Sequence, residues 1–194
     1  EGDSMKIIGL TGEAGSGKDT IADYLVSHHD FRKLSFAEPL RRGLQAMFGI
    51  PMYMLQDRAI KHIPLNILGG KSIREAMNTL GTEWGRHCLA DDIWLRTAEL
   101  RLGQLRAQAT LGHGVKGVVI SDVRFYNECE WLLDQGGELW HVSRPGNPYA
   151  LPPESHVSQE GLPVRDGDQV IANDGTIESL HAQVLAILGN DPTV

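Results

Sequence analysis

The sequence has little cysteine, few aromatic residues and no long apolar run. Cys88 and Cys129 are the only cysteines in 194 residues, and they lack the spacing of a metal site. Without a visible secretion signal, two cysteines are expected to be reduced thiols in a cytosol. No apolar run approaches the roughly 18 residues of a membrane-spanning helix. These deficits argue against a disulfide-stapled or membrane-spanning protein.

A large excess of basic residues is also absent. The formal net charge is −7, which argues against a general nucleic-acid binder. The charge is nevertheless uneven, because residues 32–106 hold twelve Lys and Arg against seven Asp and Glu. This basic stretch in an acidic chain indicates a small, highly charged anion as ligand. The alternative is a set of ordinary solvated helix faces.

What remains is an ordinary globular composition. The chain is 41% hydrophobic and 22% charged, and its length suits one domain with a sizeable core. Residues 1–4, which precede Met5, resemble a cloning remnant. We therefore expect a single domain over residues 5–194.

The most informative segment runs from Ile7 to Thr20. An apolar strand is followed by a turn with glycines at 12, 15 and 17, then by Lys18 and a helical pattern. Glycines allow the backbone to approach a phosphate closely, and successive N–H groups line an anion site. The start of a helix adds further donors and a positive dipole end. The order predicts a phosphate-binding P-loop with Lys18 as its mobile charge.

The residues after the lysine narrow the class. Asp19 stands where Ser or Thr usually follows, and Thr20 comes next. This Gly-Lys-x-Thr form resembles nucleoside monophosphate kinases, which implies that the Thr20 hydroxyl faces a metal site. Asp19 has two interpretations that stay open here, a contact at the metal site or a carboxylate favoured by the helix dipole.

A second polar cluster directly follows the apolar run 118–120. Asp122 at such a strand end can hold Mg²⁺, often through water, and Arg124 can direct its planar guanidinium at a transferring phosphoryl group. The structural alternative is that Asp122 caps the next helix while Arg124 pairs with Glu128.

Strand and helix patterns alternate along the chain. This order predicts an α/β fold with a parallel sheet and helices on both faces. Residues 49–70 carry Pro and Gly and are predicted to be irregular, whereas Ser72 and Glu75 form a capping-box signature. Residues 144–168 hold five prolines and are predicted to form a long, lid-like loop.

Several blocks together resemble the phage-type deoxynucleoside monophosphate kinases. They are the P-loop, the Ser-Phe-Ala-Glu-Pro-Leu run at 35–40, the Gly-Thr-Glu-Trp-Gly-Arg run at 81–86, the Asp-Val-Arg-Phe-Tyr-Asn-Glu run at 122–128 and the Ile-Ala-Asn-Asp-Gly-Thr run at 171–176. The resemblance implies a P-loop kinase fold, a helical acceptor-binding region at about 49–108, and Mg²⁺-assisted phosphoryl transfer from ATP to a deoxynucleoside monophosphate. It also implies that ATP is bound by Gly12, Glu13, Ala14, Gly15, Ser16, Gly17, Lys18, Asp19 and Thr20, with the metal at Thr20 and Asp122.

The chemistry of such a transfer agrees with the charges. A phosphate monoester is already an anionic nucleophile at neutral pH, so no general base is needed and cations must bring two anions together. The predicted catalytic residues are Lys18, Arg124 and Arg144. The predicted acceptor-binding residues are Glu38, Arg41, Arg42, Arg74, Trp84, Arg86 and Arg124. Trp84 is alternatively a core residue that continues a helical stripe, and Arg144 is alternatively a plain loop residue. His156 is a candidate lid contact, with a solvated loop histidine as the alternative.

Two other functions stay open at this stage. One is another small-molecule P-loop kinase, such as a dephospho-coenzyme A kinase. The other is a nucleotide-driven switch or motor, although no Asn-Lys-x-Asp guanine-reading motif is found. We expect ATP and a monophosphate as partners, neither nucleic acid nor membrane, and a location in the cytoplasm (the host's, if the protein is phage-encoded). Whether the chain forms a homodimer is left open.

Overall fold

The computed structural model describes residues 5–148 and 162–189, and it divides into two compact units. The sheet unit contains the described residues up to Ser35 and from Arg101 onward. The helical unit contains Phe36–Leu100. Across the described part of the chain, no helix is both long enough and apolar enough to span a bilayer.

The sheet unit is built on five strands that are paired in parallel throughout. Their order is β2-β5-β1-β6-β7, and their bounds are β1 Lys6–Thr11, β2 Phe31–Leu34, β5 Gly117–Ile120, β6 Glu138–Ser143 and β7 Gln169–Ala172. The predicted parallel α/β sheet is therefore confirmed. All five carboxyl ends lie on one edge, where ligands bind in open parallel sheets.

One face of the sheet is covered by α1 Lys18–His28 and α7 Ile177–Gly189. Their apolar stripes pack against alternate residues of the central strands, as the two-residue period of a strand requires. The buried cluster on this face includes Ile8, Leu10, Ile21, Leu25, Trp140, Val142, Ile171, Leu180 and Val184. This packing anchors β1 and α1, the two elements that flank the P-loop.

The other face is contacted by α6 Tyr126–Asp134. Gly9 allows the close approach of this helix, because a Cβ at Gly9 would overlap the side chain of Leu132. The remaining helix of the sheet unit is α5 Ile93–Thr110, whose residues up to Leu100 belong to the helical unit. Helices thus lie on both faces, as predicted.

The helical unit contains short elements around one small core. They are α2 Glu38–Phe48, α3 Met52–Gln56, the hairpin strands β3 Pro64–Leu65 and β4 Lys71–Ser72, α4 Ile73–Asn78 and a π-helix Thr79–Leu89. Leu44, Ile50, Leu55 and Ile73 form the core. The region 49–70 is therefore not wholly irregular, because it holds one short helix, a 3₁₀ turn and a hairpin strand.

The predicted capping box at the start of α4 is present. The Ser72 hydroxyl accepts from the Glu75 backbone N–H at 3.3 Å, and the Glu75 carboxylate accepts from the Ser72 N–H at 2.9 Å. The helical stripe that the alternative interpretation of Trp84 required does not continue as an α-helix beyond Asn78, where π-helical bonding begins. Bonding from i to i+5 places more residues in each turn, so later side chains leave the 3.6-residue stripe.

Candidate active site

The P-loop lies at the carboxyl edge of the sheet, between β1 and α1, and two of its glycines are required by close contacts. Gly12 has φ 140°, and a Cβ there would overlap the carbonyl oxygen of Val142. Gly17 has φ 114°, and a Cβ there would stand 2.6 Å from Nδ2 of Asn173. The loop is therefore seated directly against the ends of β6 and β7.

Lys18 begins α1 and folds back over the loop. Its ammonium nitrogen donates to the carbonyl oxygens of Gly12 at 2.5 Å and Glu13 at 2.6 Å, and it lies 3.4 Å from Oγ of Ser16. Carbonyl oxygens hold a cation by hydrogen bonds without neutralising its charge. The ammonium is thus kept at the mouth of an anion site, where it can exchange carbonyls for phosphate oxygens.

Side chains from two later segments hold three successive P-loop carbonyls. Nδ2 of Asn147 donates to the Ala14 oxygen at 2.8 Å, and Nδ2 of Asn173 donates to the Ser16 oxygen at 2.9 Å. Nη1 of Arg144 makes a longer contact of 3.5 Å with the Gly15 oxygen. The structure therefore brings the predicted Arg144 to the P-loop.

Asp122 follows β5 at the same edge of the sheet. Its Oδ2 accepts a hydrogen bond of 2.7 Å from the hydroxyl of Ser35, which follows β2. The pairing of Leu34 with Ile120 brings the two strand ends together. At the start of α6 the Glu128 carboxylate accepts from the backbone N–H of Phe125 at 3.1 Å, so Glu128 takes part in the cap that the alternative interpretation gave to Asp122.

Arg124 has an exposed side chain two residues beyond Asp122. Its backbone N–H donates to the Glu128 carboxylate at 2.8 Å, and within the described residues the structure shows no ion pair between the two side chains. The alternative in which Arg124 is a partner of Glu128 is thus realised only through the backbone. Arg124 itself lies shortly after the carboxyl end of β5.

Asp19 and Thr20 occupy the first turn of α1. The Asp19 carboxylate lies 3.2 Å from the ammonium of Lys33, which also contacts Asp23 at 3.1 Å. An exposed carboxylate in this position is favoured by the helix dipole. The geometry favours this interpretation of Asp19 over a metal contact, whereas Thr20 is half-buried in the same turn.

In the helical unit, the predicted acceptor residues lie on α2, α4 and the π-helix. Glu38 binds both of its neighbouring arginines, with Nη1 of Arg41 at 3.3 Å and Nε of Arg42 at 2.9 Å. Arg74 and Arg86 are half-buried. The carboxylate therefore holds two guanidinium groups side by side at the start of α2.

Trp84 is 50% exposed on the π-helix. The interpretation of this residue as a core tryptophan is therefore wrong. Trp94 packs inward instead: its ring lies against Gly85, where a Cβ would overlap it, and its Nε1 donates to the Gly81 oxygen at 2.7 Å. An exposed indole ring is free to stack on a planar ligand.

A further polar cluster joins β6 to the segment before β7. The Asp168 carboxylate contacts Nε2 of His141 at 2.9 Å and Nη2 of Arg165 at 3.2 Å. Burial alone would raise the pKa of Asp168, but hydrogen bonds from the Arg165 backbone, His141 and the Arg165 guanidinium outweigh it and hold the pKa below its usual value. Burial raises the pKa of the nearby Cys129 thiol.

This cluster borders a cavity rather than the P-loop. The cavity has a volume of about 310 Å³ and is lined by Leu133 and by residues 137–139 and 165–168. Those residues begin or precede β6 and β7, so the cavity lies at the amino edge of the sheet, opposite the P-loop. The predicted loop 144–168 is described only at its two ends, and His156 lies outside the described residues.

Ser35, Asn147 and Asn173 were not singled out as site residues from the sequence. Ser35 and Asn173 each stand directly after a strand, and polar residues at the carboxyl ends of parallel strands converge. That position was the signal available in the sequence. Asn147 had no comparable signal, because it lies within an unpatterned loop.

Comparisons with known proteins identify the family of the chain. A family model described as deoxynucleotide monophosphate kinase matches residues 49–184. A relative from Acanthamoeba polyphaga mimivirus, described by the same name, is 32% identical over 96% of this chain and 97% of its own length. The deoxynucleotide monophosphate kinase of Enterobacteria phage T4 is 22% identical over 93% of this chain and 97% of its own.

Among solved structures, TT1252 from Thermus thermophilus has a TM-score of 0.49 and 20% identity, covering 95% of this chain and 96% of that one. The family match favours neither a dephospho-coenzyme A kinase nor a switch or motor. It confirms the resemblance, the phosphotransferase class and the P-loop kinase fold inferred from the sequence. The chain belongs to the deoxynucleotide monophosphate kinase family.

Proposed function

We propose that this chain transfers the γ-phosphoryl group of ATP in line to the phosphate of a deoxynucleoside monophosphate, with the site residues assigned as follows. The observation that carries the assignment is the meeting of the P-loop, Lys18 and Asp122 at one edge of the sheet unit. Backbone N–H groups of residues 12–17 cradle the donor phosphates. Lys18 leaves its carbonyl partners to bind the β- and γ-phosphates.

The oxygen donors available in the sheet unit suit Mg²⁺. Thr20 offers a hydroxyl and Asp122 a carboxylate, and Mg²⁺ is usually held by one or two such protein oxygens together with phosphates and water. In the described residues, no three His, Cys, Asp or Glu side chains form a metal cluster, so a cage made by the protein alone is not offered there. When bound, Mg²⁺ would neutralise charge on the β- and γ-phosphates.

The two predicted catalytic arginines have different surroundings. Arg124 presents an exposed guanidinium on a backbone held by Glu128, so its bidentate face is available to the equatorial oxygens of the transferring group. Arg144 lies against the Gly15 oxygen. In our proposal Arg144 exchanges this long contact for a phosphate oxygen when ATP is bound.

The helical unit supplies the acceptor side in this proposal. Glu38 holds Arg41 and Arg42 together for the acceptor phosphate, and Arg74 and Arg86 add positive charge. Trp84 offers its exposed ring to the base. No general base is required, because the acceptor phosphate is ionised at neutral pH. We further propose that the protein acts in the cytoplasm, on nucleotides rather than nucleic acid or membrane.

A screen of monophosphates tests this function. Purified protein is incubated with ATP, Mg²⁺ and each of dTMP, dGMP, dCMP, dAMP and dephospho-coenzyme A, and ADP release and product identity are measured together. We expect diphosphate products from at least one deoxynucleotide and none from dephospho-coenzyme A. If dTMP, dGMP, dCMP and dAMP all remain unphosphorylated, the proposed function is wrong.

A further inference from the structure

We propose that Asn173 is a positioning residue for phosphate recognition, which orients P-loop peptide units so that their N–H groups face the donor nucleotide. Asn147 assists it from the segment after β6. This inference rests on the proposed function, because it explains how the same P-loop is held ready for ATP. Neither residue needs to contact the nucleotide.

The geometry singles out the P-loop carbonyls. Nδ2 of Asn173 donates to the Ser16 oxygen at 2.9 Å, and Nδ2 of Asn147 donates to the Ala14 oxygen at 2.8 Å. Both distances are those of good N–H···O hydrogen bonds. Two neutral amides thus hold carbonyls that are two residues apart in the loop.

A hydrogen bond that fixes a carbonyl group also fixes the N–H group of the same peptide unit. In a planar trans peptide unit, the C=O of one residue and the N–H of the next point in opposite directions. Asn173 therefore sets the direction of the Gly17 N–H, and Asn147 sets that of the Gly15 N–H. Gly15 and Gly17 both have positive φ, 83° and 114°, and glycine backbones rotate most easily when nothing holds them.

Asn173 is itself held firmly. Its backbone N–H donates to the Ser143 oxygen at 2.8 Å, at the end of β6. The preceding residue, Ala172, is bonded at both backbone groups by the Gln183 side chain, at 3.2 Å and 2.9 Å. The close packing of Gly17 against Nδ2 of Asn173 adds a steric constraint. The amide is thus carried by the sheet and by α7, not by a loop of its own.

The side-chain chemistry fits this role. An amide donates to a carbonyl without adding charge, whereas a carboxylate of the same shape would repel both the Ser16 carbonyl and the nucleotide phosphates. Asn173→Asp is therefore a near-isosteric test of the hydrogen bond. Asn173→Ala removes the amide, and Asn147→Ala gives an independent test from the segment after β6.

The experiment compares a probe that has a base with one that has none. Binding of ATP is measured by titration calorimetry, and inorganic tripolyphosphate is measured by its displacement of ATP. The matched control is Gln135→Ala, which removes an amide bonded to Arg106 at 2.8 Å, remote from the P-loop. Melting temperatures confirm that each variant is folded.

We expect Asn173→Ala to weaken the binding of ATP and of tripolyphosphate by the same factor, about three- to tenfold, since the substitution removes one hydrogen bond. Asn173→Asp should weaken both further, Asn147→Ala should show the same pattern, and Gln135→Ala should change neither. The KM for the acceptor should stay within about twofold of the unmodified chain.

Other results would overturn the inference. If the affinity for ATP falls while the affinity for tripolyphosphate does not, Asn173 acts on the nucleoside instead of through the P-loop. If both affinities are unchanged in Asn173→Ala and Asn147→Ala, the carbonyl contacts do not position the loop. If the unmodified chain binds ATP but tripolyphosphate cannot displace it, or if it binds neither, phosphate recognition by the P-loop fails, and the proposed function fails with it.

Discussion

The hydroxyl of Ser35 donates to Oδ2 of Asp122 at 2.7 Å, and this bond joins the carboxyl ends of β2 and β5. One oxygen of the carboxylate is thereby oriented by a neighbour in the adjacent strand. Groups that orient a metal ligand affect metal binding although they do not touch the metal. Ser35 is also the last residue of the sheet unit before the chain enters the helical unit.

Replacing Ser35 by alanine should raise the Mg²⁺ concentration that gives half-maximal activity by about tenfold, because Asp122 loses the hydrogen bond that orients its Oδ2. Ser35→Thr keeps the hydroxyl and should largely restore the original requirement. Magnesium titrations of initial rate at saturating nucleotide measure the effect. Ser179→Ala, which removes an exposed serine hydroxyl on α7, is the control. An unchanged Mg²⁺ requirement in Ser35→Ala would argue that the bond has no role in metal binding.

Arg124→Lys should lower kcat by about a hundredfold and change the KM of either nucleotide by less than about tenfold. Lysine keeps the charge but loses the planar, bidentate group, whose interaction with the equatorial oxygens grows in the transition state. The melting temperature should be unaffected, because the side chain is exposed.

The matched variant for Arg124 is Glu128→Gln, in which the buried carboxylate that holds two backbone N–H groups is neutralised. Glu128→Gln should lower the melting temperature. An Arg124→Lys protein that melts early with normal kcat would make Arg124 a structural residue. A raised KM with unaltered kcat would make it a simple binding residue.

Gly85→Ala should destabilise the protein by about 1–3 kcal/mol, because the added methyl group overlaps the ring of Trp94 in a packed site. Gly103→Ala is the control: it lies within α5, a Cβ there meets nothing within 4 Å, and alanine is the better helix former by roughly 1 kcal/mol. Urea unfolding measures both free energies. A stabilised Gly85→Ala protein would contradict the packing of Trp94 on the π-helix.

The stability contributed by Asp168 should depend on pH. Its folded pKa lies below the usual value, so the ionised carboxylate stabilises the folded state above the unfolded pKa of about 4, and this contribution is lost as pH falls through the folded pKa. Asp168→Asn should cost about 2 kcal/mol at pH 7 and progressively less below pH 4. Asp166→Asn, at an exposed position, is the control. A cost that is independent of pH would contradict the ionic role.

The sequence allowed prediction of those parts of the site that are local in the chain. The P-loop needs a strand, a glycine turn and a helix in direct succession, so residues 7–20 could be interpreted without any partner. The parallel sheet could also be predicted from local pattern. A strand that is buried on both faces is a compact apolar run, such as residues 118–120.

The missed contacts depend on long-range folding. Asn173 and Ser16 are separated by 157 positions, and Ser35 and Asp122 by 87, so only the order of the strands brings each pair together. The π-helix was missed because a 3.6-residue period was extended past Asn78. In this π-helix the ring of Trp94 packs on Gly85, and its Nε1 donates to the Gly81 oxygen. Trp84 is exposed.

The central claim is that the P-loop of the sheet unit performs the phosphoryl transfer, and Lys18→Ala tests it most directly. Lys18 donates to the Gly12 and Glu13 oxygens, and these exposed hydrogen bonds contribute little to stability, so its loss should leave the melting temperature within a few degrees of the original. With ATP, Mg²⁺ and an accepted deoxynucleotide, we predict that kcat falls by at least about a hundredfold, since the Lys18 ammonium no longer stabilises the charge on the β- and γ-phosphates. A folded Lys18→Ala protein with near-normal kcat would contradict the account.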